Sequence, residues 1–298
     1  MSLPHITICI ATCGRPAMLE RLLAAIAKQD PVGCFAFSIV VTDNDSGHSA
    51  QPVVEKFAAG SATGVIYSVE PEKNIAVVRN TALAHATGDF IAFIDDDEFP
   101  VPGWLRNLFQ TCEAHEVAGV LGPVKPHFEQ PPPAWLVKGG FYDRPTHPTG
   151  FLMDWDECRT GNVLFRRRIL DPADPPFHHE FRTGGEDRDF FRRMIERGHR
   201  FIWCDEAVAY ETVPSSRWSR RFLFSRALLR GRISLQHPRD RARIILKSAI
   251  AVPLYTLALP FLLVAGQHYF MKYLVKLADH VGRLLAIFNL NPVSERRM

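Results

Sequence analysis

The chain has 298 residues, of which 47% are hydrophobic and 22% are charged, and its formal net charge is +3 at pH 7. This composition is that of a globular protein and excludes a long disordered or low-complexity chain. The six cysteines include no CxxC pair, which argues against a zinc ribbon or a compact disulfide framework and predicts reduced thiols.

The first third of the chain alternates strand and helix patterns. It opens directly into a β-branched run at 5–11, typical of a buried strand, without the features of a signal peptide, so we expect the N-terminal part to stay in the cytoplasm. Residues 16–29 have the apolar spacing of a helix. Further strands are predicted at 37–42, 65–70 and 90–94, and further helices at 53–59 and 75–87. Gly88 is expected to cap the last of these helices. This alternation predicts an α/β fold with a mainly parallel sheet and flanking helices.

The middle of the chain is less regular. A helix is predicted after Pro102, a strand near 117–124, a second helix after Glu186 and a strand at 201–204. Most of the tryptophans lie in the loop-rich stretch between these elements.

The last third is first basic and then apolar. Residues 217–247 contain ten Lys or Arg and one acid, and residues 248–265 contain no charge. Pro253 and Pro260 interrupt this apolar run, which is short for crossing about 30 Å of hydrocarbon. Three alternatives stay open: a hairpin that lies on or re-enters a membrane, one or two true spans, and a buried packing or oligomer surface. The amphipathic stretch 269–290 follows.

The basic flank predicts binding to an anionic membrane surface, with the catalytic part on the cytoplasmic face of the inner membrane. The adjoining apolar run argues against nucleic-acid binding, the usual alternative for arginine-rich segments.

Four adjacent carboxylates, Asp95 to Glu98, follow the predicted strand 90–94. Adjacent carboxylates repel one another unless a cation or a basic group offsets them. At the end of a buried strand they provide hard oxygen donors, which suit Mg²⁺ or Mn²⁺ together with phosphate oxygens of a substrate. A solvated acidic turn is the alternative, and the apolar segments on both sides disfavour it.

Three other polar groups could belong to the same site. Residues 43–45 (Asp-Asn-Asp) follow the second strand, where they could bind a base or ribose or simply form a turn. Arg79 could face a nucleotide or pair with Asp43 or Asp95. Glu186 and Asp187 begin a helix after two glycines, so they could cap it or supply a general base, with the glycines leaving room for a ligand.

Four strings of the sequence together resemble the family-two inverting glycosyltransferases of the GT-A fold, and among them the bacterial surface-polysaccharide glucosyltransferases of the succinoglycan type. They are TICIATCGRP, VVTDNDSG, NIAVVRNTALAHATGDFIAFIDDDEFPVPGWL and GGEDRDFFRRM. The resemblance implies a GT-A catalytic domain at 1–212, with a nucleotide-sugar half at 1–103 and an acceptor half at 104–212. A basic amphipathic region at 213–247 and apolar membrane-associated helices at 248–298 would follow.

The resemblance also implies a role for individual residues. Asp97 and Asp95 of the Asp-x-Asp motif would bind Mg²⁺ or Mn²⁺, and Asp187, with Glu186 beside it, would be the catalytic base. The nucleotide-sugar would contact Ala11, Thr12, Arg15, Asp43, Asn44, Asp45, Arg79, Asp95 and Asp96. Acceptor or diphosphate contacts would come from Trp155, Gly161, Asn162, Arg217 and Trp218.

The chain departs from the family pattern at three places. Cys13 and Gly14 replace residues of the usual Pro-Thr-Tyr-Asn turn, and Asn44 stands where many members have Asp. The full Gln-x-x-Arg-Trp motif is absent before Trp218, which argues against a processive polymerase.

The predicted function is metal-dependent, inverting transfer of a sugar from a nucleotide-sugar, with UDP as the expected carrier. The acceptor would be a hydroxyl group of a saccharide or of a polyprenyl-diphosphate-linked saccharide. One alternative is a nucleotidyltransferase that forms nucleotide-sugars, which the lack of a Gly-rich basic loop at 11–16 disfavours. A catalytically idle membrane-bound scaffold is the other alternative, and the intact carboxylates Asp95, Asp97 and Asp187 disfavour it.

Overall fold

A computed structural model of the chain describes residues 3–182, 184–234, 241–288 and 290. The chain divides into two compact units, one formed by residues up to 125 with 144–211, and the other by 126–143 with the residues from 212 onward. Within the predicted basic region, 235–240 lie outside the described residues, and so do 289 and 291–298 of the predicted apolar helices.

The elements alternate along the first unit as the sequence predicts. In chain order the strands are β1 (His5–Thr12), β2 (Ala36–Asp43), β3 (Val65–Val69), β4 (Phe90–Ile94), β5 (Glu98–Pro100), β6 (Gly119–Leu121), β7 (Val124–His127), β8 (Asn162–Arg166), β9 (Phe201–Trp203) and β10 (Ala209–Thr212). The helices are α1 (Pro16–Ile26), α2 (Gln51–Gly60), α3 (Ile75–His85), α4 (Trp104–Ala114), α5 (Ala134–Gly139), α6 (Glu186–Glu196), α7 (Arg220–Ile233), α8 (Arg241–Ala265) and α9 (Gln267–Ile287).

A seven-stranded sheet forms the centre of the first unit, in the order β3-β2-β1-β4-β8-β6-β9. The pairs β3–β2, β2–β1, β1–β4 and β6–β9 are parallel, and β8 runs antiparallel to β4 and β6. The predicted α/β fold with a mainly parallel sheet is therefore confirmed. Separately, β5 pairs antiparallel with β10.

The two faces of the sheet carry separate apolar clusters. Ile6, Ile8 and Ile10 of β1 pack in one cluster, which includes the buried side of α1, and Cys9 packs in the other. This alternation explains why β1 is a continuous apolar run, because both of its faces are buried. All six cysteines are free thiols, as predicted.

Gly88 does not cap α3, so that prediction was wrong. The helix ends at His85 with Ala86 as its cap residue. A Cβ on Gly88 would lie 2.7 Å from the backbone oxygen of His5 and from the backbone nitrogen of Thr7. Gly88 is therefore needed where the chain passes close to β1, rather than for a left-handed cap.

The single strand predicted near 117–124 was also wrong, since β6 and β7 are separate strands. Gly122 and Pro123 lie between them. Proline has no backbone N–H to donate to a sheet, which explains the break.

The second unit contains α5 and the three long helices α7, α8 and α9. The predicted apolar run 248–265 is the main part of α8, and 269–290 corresponds to α9 and the residues after it. Among the described residues, α8 is the one helix that is long and apolar enough to cross a membrane. Pro253 and Pro260 lie inside it.

Candidate active site at the carboxyl ends of the central strands

The three central parallel strands end at one edge of the sheet. Thr12 at the end of β1 lies opposite Asp43 at the end of β2, and Phe93 of β4 lies opposite Cys9 of β1. Asp95 follows β4 directly, so the polar residues that the sequence analysis places after separate strands come to the same edge. Ligands of open α/β sheets bind at this edge.

Arg15 offsets part of the repulsion within the acidic cluster. Its Nη1 donates to Asp96 Oδ1 at 2.8 Å and lies 3.4 Å from Asp97 Oδ2. Thr12 Oγ1 also donates to Asp96, at 2.8 Å. Burial raises the pKa of Asp96 to about 6, against the opposing charge of Arg15. The predicted nucleotide contacts Thr12, Arg15 and Asp96 therefore bond to one another at the start of the cluster.

Arg79 connects the acidic cluster to α6. Its Nη1 contacts Glu186 Oε1, and its Nη2 donates to Asp95 Oδ1 at 3.3 Å. Arg79 and Glu186 are buried, whereas the Asp95 side chain is 45% exposed. The sequence analysis considered Asp43 and Asp95 as partners for Arg79, and the structure pairs Arg79 with Asp95. It adds Glu186, which no short-range pattern links to Arg79.

Glu98 is a buried acid of the cluster that the predicted roles leave out. The Asp95 backbone N–H lies 3.4 Å from its Oε2, and its Oε1 has no hydrogen-bond partner among the described residues. Burial and the neighbouring charge of Asp95 raise the pKa of Glu98 well above its ordinary value, against the opposing charge of Arg144. The sequence signal that could have identified Glu98 is its place in the run of four adjacent acids, Asp95 to Glu98.

Arg144 is a functional candidate that the sequence analysis missed. It contacts Glu211, and its charge acts on Asp95 and Glu98. It lies in an irregular stretch of the sequence, between α5 and β8, where periodicity gives no signal.

Asp43 and Asn44 build the loop after β2. Asp43 is fully buried and accepts hydrogen bonds from the backbone N–H groups of Asp45 and Ala50, at 3.1 and 2.8 Å, and from Tyr67 Oη at 3.0 Å. Asn44 Nδ2 donates to the carbonyls of Glu70 and Glu72, each at 2.6 Å.

Asp45 accepts from the Gly47 backbone N–H at 3.0 Å, as in an Asx turn. The local turn that the sequence analysis left open is thus present, and contact of these residues with a nucleotide stays a prediction. Ala11 precedes Thr12 on β1 and is half-buried.

Asp187 is the second residue of α6 and is mostly buried. Its Oδ2 lies 3.9 Å from Arg159 Nε, and its charge also acts on Arg79 and Glu186. The preceding Gly184 and Gly185 have φ values of 129° and 99°. A side chain strains such a backbone, so the turn into α6 itself requires both glycines. Burial raises the pKa of Glu186 to about 7, against the opposing charge of Arg79.

Gly161 is the predicted acceptor-side residue that lies against the acidic cluster. A Cβ at this position would lie 2.7 Å from Glu98 Oε1 and 3.2 Å from Asp95 Oδ2. The side chain of Asn162 is used inside the fold, because Trp104 Nε1 donates to its Oδ1 at 2.7 Å and its Nδ2 donates to the Pro123 and Ala207 carbonyls.

The remaining predicted acceptor contacts are Trp155, Arg217 and Trp218. Trp155 is buried in the apolar cluster beneath the sheet. Arg217 and Trp218 belong to the second unit, where the Arg217 carbonyl accepts from Tyr142 Oη at 2.6 Å and Trp218 Nε1 donates to the Val213 carbonyl at 3.1 Å. Their role at a substrate stays a prediction.

The acidic cluster fits a divalent cation that is held jointly with a substrate. Within the described residues, no group of three or more His, Cys, Asp and Glu side chains could hold a metal ion by itself. Mg²⁺ at phosphate sites takes one or two carboxylates and completes its coordination with phosphate oxygens and water. The carboxylates of Asp95 and Asp97 and the unpaired Oε1 of Glu98 are hard oxygen donors of the kind required.

Comparison with known proteins identifies relatives of this architecture. Residues 7–171 match the family model of glycosyl transferase family 2. The chain is 35% identical over 231 residues to the succinoglycan biosynthesis protein ExoM of Rhizobium meliloti, covering 76% of this chain and 73% of that protein.

Two solved structures show the same fold at low sequence identity. The mannosyltransferase PcManGT of Pyrobaculum calidifontis, in complex with GDP-Man and Mn²⁺, has a TM-score of 0.63 at 18% identity, covering 95% of this chain and 88% of that one. TarS 1–349 of S. aureus, in complex with UDP, has a TM-score of 0.55 at 16% identity, covering 100% of this chain and 97% of that one.

Proposed function

The chain belongs to glycosyl transferase family 2 and is a glycosyltransferase of polysaccharide biosynthesis. We propose that it transfers a sugar from a UDP-sugar with inversion at the anomeric carbon. The acceptor is a hydroxyl group of a saccharide or of a polyprenyl-diphosphate-linked saccharide. One observation carries the proposal: Arg79 connects the acidic cluster after β4 to the first turn of α6, where Asp187 lies. Arg79 therefore connects the carboxylates proposed to bind the donor with the helix that carries the proposed base.

Asp187 acts as the general base in this proposal. The acceptor oxygen bonds to the anomeric carbon while the bond from that carbon to the diphosphate oxygen breaks on the opposite face. The acceptor proton moves to the Asp187 carboxylate. A single displacement inverts the configuration, and the diphosphate is already a good leaving group, so no second carboxylate is needed on the sugar.

Asp97 and Asp95 would hold Mg²⁺ or Mn²⁺, and the cation would supply positive charge against the negative charge of the departing diphosphate. The structures of similar fold hold UDP in one case, and GDP-Man with Mn²⁺ in the other, which supports a nucleotide diphosphate and a divalent cation as the ligands of this chain. The Thr12–Asp96–Arg15 contacts fix the loop after β1 beside that position.

The enzyme works at the cytoplasmic face of the inner membrane in this proposal. The second unit supplies the attachment through the apolar helix α8 and the arginines that precede it. Attachment to an anionic bilayer places the site within reach of an acceptor that is itself linked to a lipid.

A hydrolysis assay tests the proposed reaction. The purified full chain is incubated with Mn²⁺ and, separately, UDP-glucose, UDP-galactose, UDP-N-acetylglucosamine or GDP-mannose, and release of the nucleoside diphosphate is measured. We expect release from at least one UDP-sugar, and a loss of about two orders of magnitude in Asp97→Ala.

Asp30→Ala, which removes an exposed carboxylate elsewhere, is the matched control and retains the wild-type rate. Absence of release from every donor, with pyrophosphate formed from UTP and a sugar phosphate, would instead establish the nucleotidyltransferase alternative. Donor binding without turnover under any condition would establish the scaffold alternative.

A further inference from the structure

The outer face of α8 carries a continuous apolar stripe. Its six large residues are between 54% and 89% exposed, and they are Leu246, Ile250, Leu254, Leu257, Phe261 and Val264. Their spacing follows the helical repeat, so the side chains lie along one face. At 1.5 Å per residue the stripe is about 27 Å long.

The opposite face of α8 is already packed against α9. Ser248 is fully buried and lies 3.0 Å, Oγ to Nδ1, from the buried His280. Further along, the ring of Tyr255 contacts the ring of Tyr273 edge-on, with centroids 5.4 Å apart. A helix that is apolar all round is normally covered on every side. Here α9 covers one side, and the stripe needs a different apolar partner.

The charges around the stripe are nearly all positive. In the described segments 212–234 and 241–288, Asp279 is the one acidic residue, and it pairs with Arg230 at 2.9 Å between α7 and α9. Arg241, Arg243 and Lys247 lie at the start of α8, and Lys272 and Lys276 are exposed on α9. A second copy of this chain would bring the same positive charge, whereas an anionic lipid surface complements it.

The position of the lysines also argues against a vertical insertion. A spanning α8 would take the attached α9 into the hydrocarbon, together with exposed Lys272 and Lys276. Burial of such charges in a bilayer is strongly unfavourable. If α8 instead lies flat, its stripe enters the apolar layer along its whole length, and the long lysine side chains reach the headgroups.

We propose that α8 is an in-plane membrane anchor, with the stripe in one leaflet of an anionic bilayer and the α8–α9 hairpin not crossing it. This inference rests on the proposed membrane association and deepens it. It does not depend on the transfer reaction, so vesicle binding and donor hydrolysis can fail separately.

The test is flotation of the purified full chain with preformed vesicles. We expect binding to vesicles rich in phosphatidylglycerol, weaker binding to phosphatidylcholine alone, and further weakening in high salt. Leu257→Gln/Phe261→Gln should lower the partition coefficient about tenfold or more, because two large apolar side chains no longer enter the bilayer. Leu152→Gln removes an apolar side chain that is 59% exposed from the first unit, and this variant should bind like the wild type.

Two further measurements decide the outcome. Circular dichroism and UDP-sugar hydrolysis of the double variant should match the wild type, because both substituted residues are exposed on α8. Unchanged flotation of the double variant would overturn the proposal. A dimer in sedimentation velocity that the same variant dissociates, without vesicle binding by the wild type, would show that a second copy covers the stripe. Retention in membranes of cells after high-salt and carbonate washing, with no binding to preformed vesicles, would show a spanning helix.

Discussion

The guanidinium of Arg79 contacts the carboxylate of Glu186, which lies 107 residues further along the chain, and both side chains are buried. The same guanidinium donates to the more exposed Asp95. Removal of one partner from a buried ion pair leaves an unpaired charge, which costs more stability than the pair contributes. The Arg79–Glu186 contact therefore makes stability and the site geometry depend on the same two residues.

Arg79→Met should lower the free energy of unfolding by about 3 kcal/mol and abolish transfer. The double variant Arg79→Met/Glu186→Gln should regain part of that stability, since neither charge of the pair remains, but no activity. Urea denaturation of wild type, both single variants and the double variant gives the coupling energy. Arg167→Met, on an exposed arginine, is the control and should change the stability by less than about 0.5 kcal/mol. A double variant no more stable than Arg79→Met alone contradicts the prediction.

Asp187→Asn should retain donor binding and lose transfer, because the amide cannot accept the acceptor proton. Isothermal titration with UDP and Mn²⁺ should give a dissociation constant within about threefold of the wild type, while kcat falls by about two to four orders of magnitude. Asp156→Asn makes the same change at an exposed acid and should leave both quantities unchanged. Normal transfer by Asp187→Asn would exclude this residue as the base.

The sequence could predict the residues whose position follows from local pattern. Asp95 to Asp97 could be placed at the edge of the sheet because they directly follow the buried apolar run of β4. The contact of Arg79 with Glu186 could not be predicted, since it depends on where α6 packs and no short-range spacing encodes that. Arg144 was missed for a related reason: it lies in a segment without periodicity and contacts Glu211 only in the folded chain.

Asn162 is a residue predicted to contact substrate whose side chain is used inside the fold instead. The family resemblance implied a substrate contact for it, yet its donors and acceptor are used by Trp104, Pro123 and Ala207. A polar residue at the start of a buried strand must find partners, and whether those partners are substrate or protein depends on tertiary packing.

Asp43 and Asp45, two acids of one loop, should respond differently to substitution. Asp43→Ala removes the acceptor of three hydrogen bonds from a fully buried position, so we expect a loss of about 3 kcal/mol in unfolding free energy as well as weaker UDP binding. Asp45→Ala should cost much less, since its turn is partly solvated. Tyr67→Phe, which removes one of the three donors, should fall between them. Equal stability of the two alanine variants would show that the Asp43 hydrogen bonds do not hold the loop.

Asp189 should make the stability of the first unit sensitive to acid. It is buried on α6, and its oxygens lie 3.0 Å from Arg192 Nη2 and 2.8 Å from Arg193 Nε. Burial alone would raise the pKa of Asp189, but the hydrogen bonds and charges of these arginines, with the charge of His178 at 3.1 Å, lower it below the ordinary value of 3.8. The unfolded chain therefore binds a proton at a pH where the folded chain does not.

Because the pKa of Asp189 is lower in the folded chain than in the unfolded chain, the ionised carboxylate stabilises the fold. The contribution of Asp189 is complete above about pH 4 and is lost as the pH falls through the lower folded pKa. Asp189→Asn should cost about 2 kcal/mol near pH 5, where the neighbouring His178 already carries its charge, and the difference from the wild type should shrink near pH 3. Chemical denaturation at both pH values measures it, with Asp205→Asn, at an exposed acid, as the control. A difference that stays constant down to about pH 3 would mean that the arginines do not stabilise the charged form of Asp189.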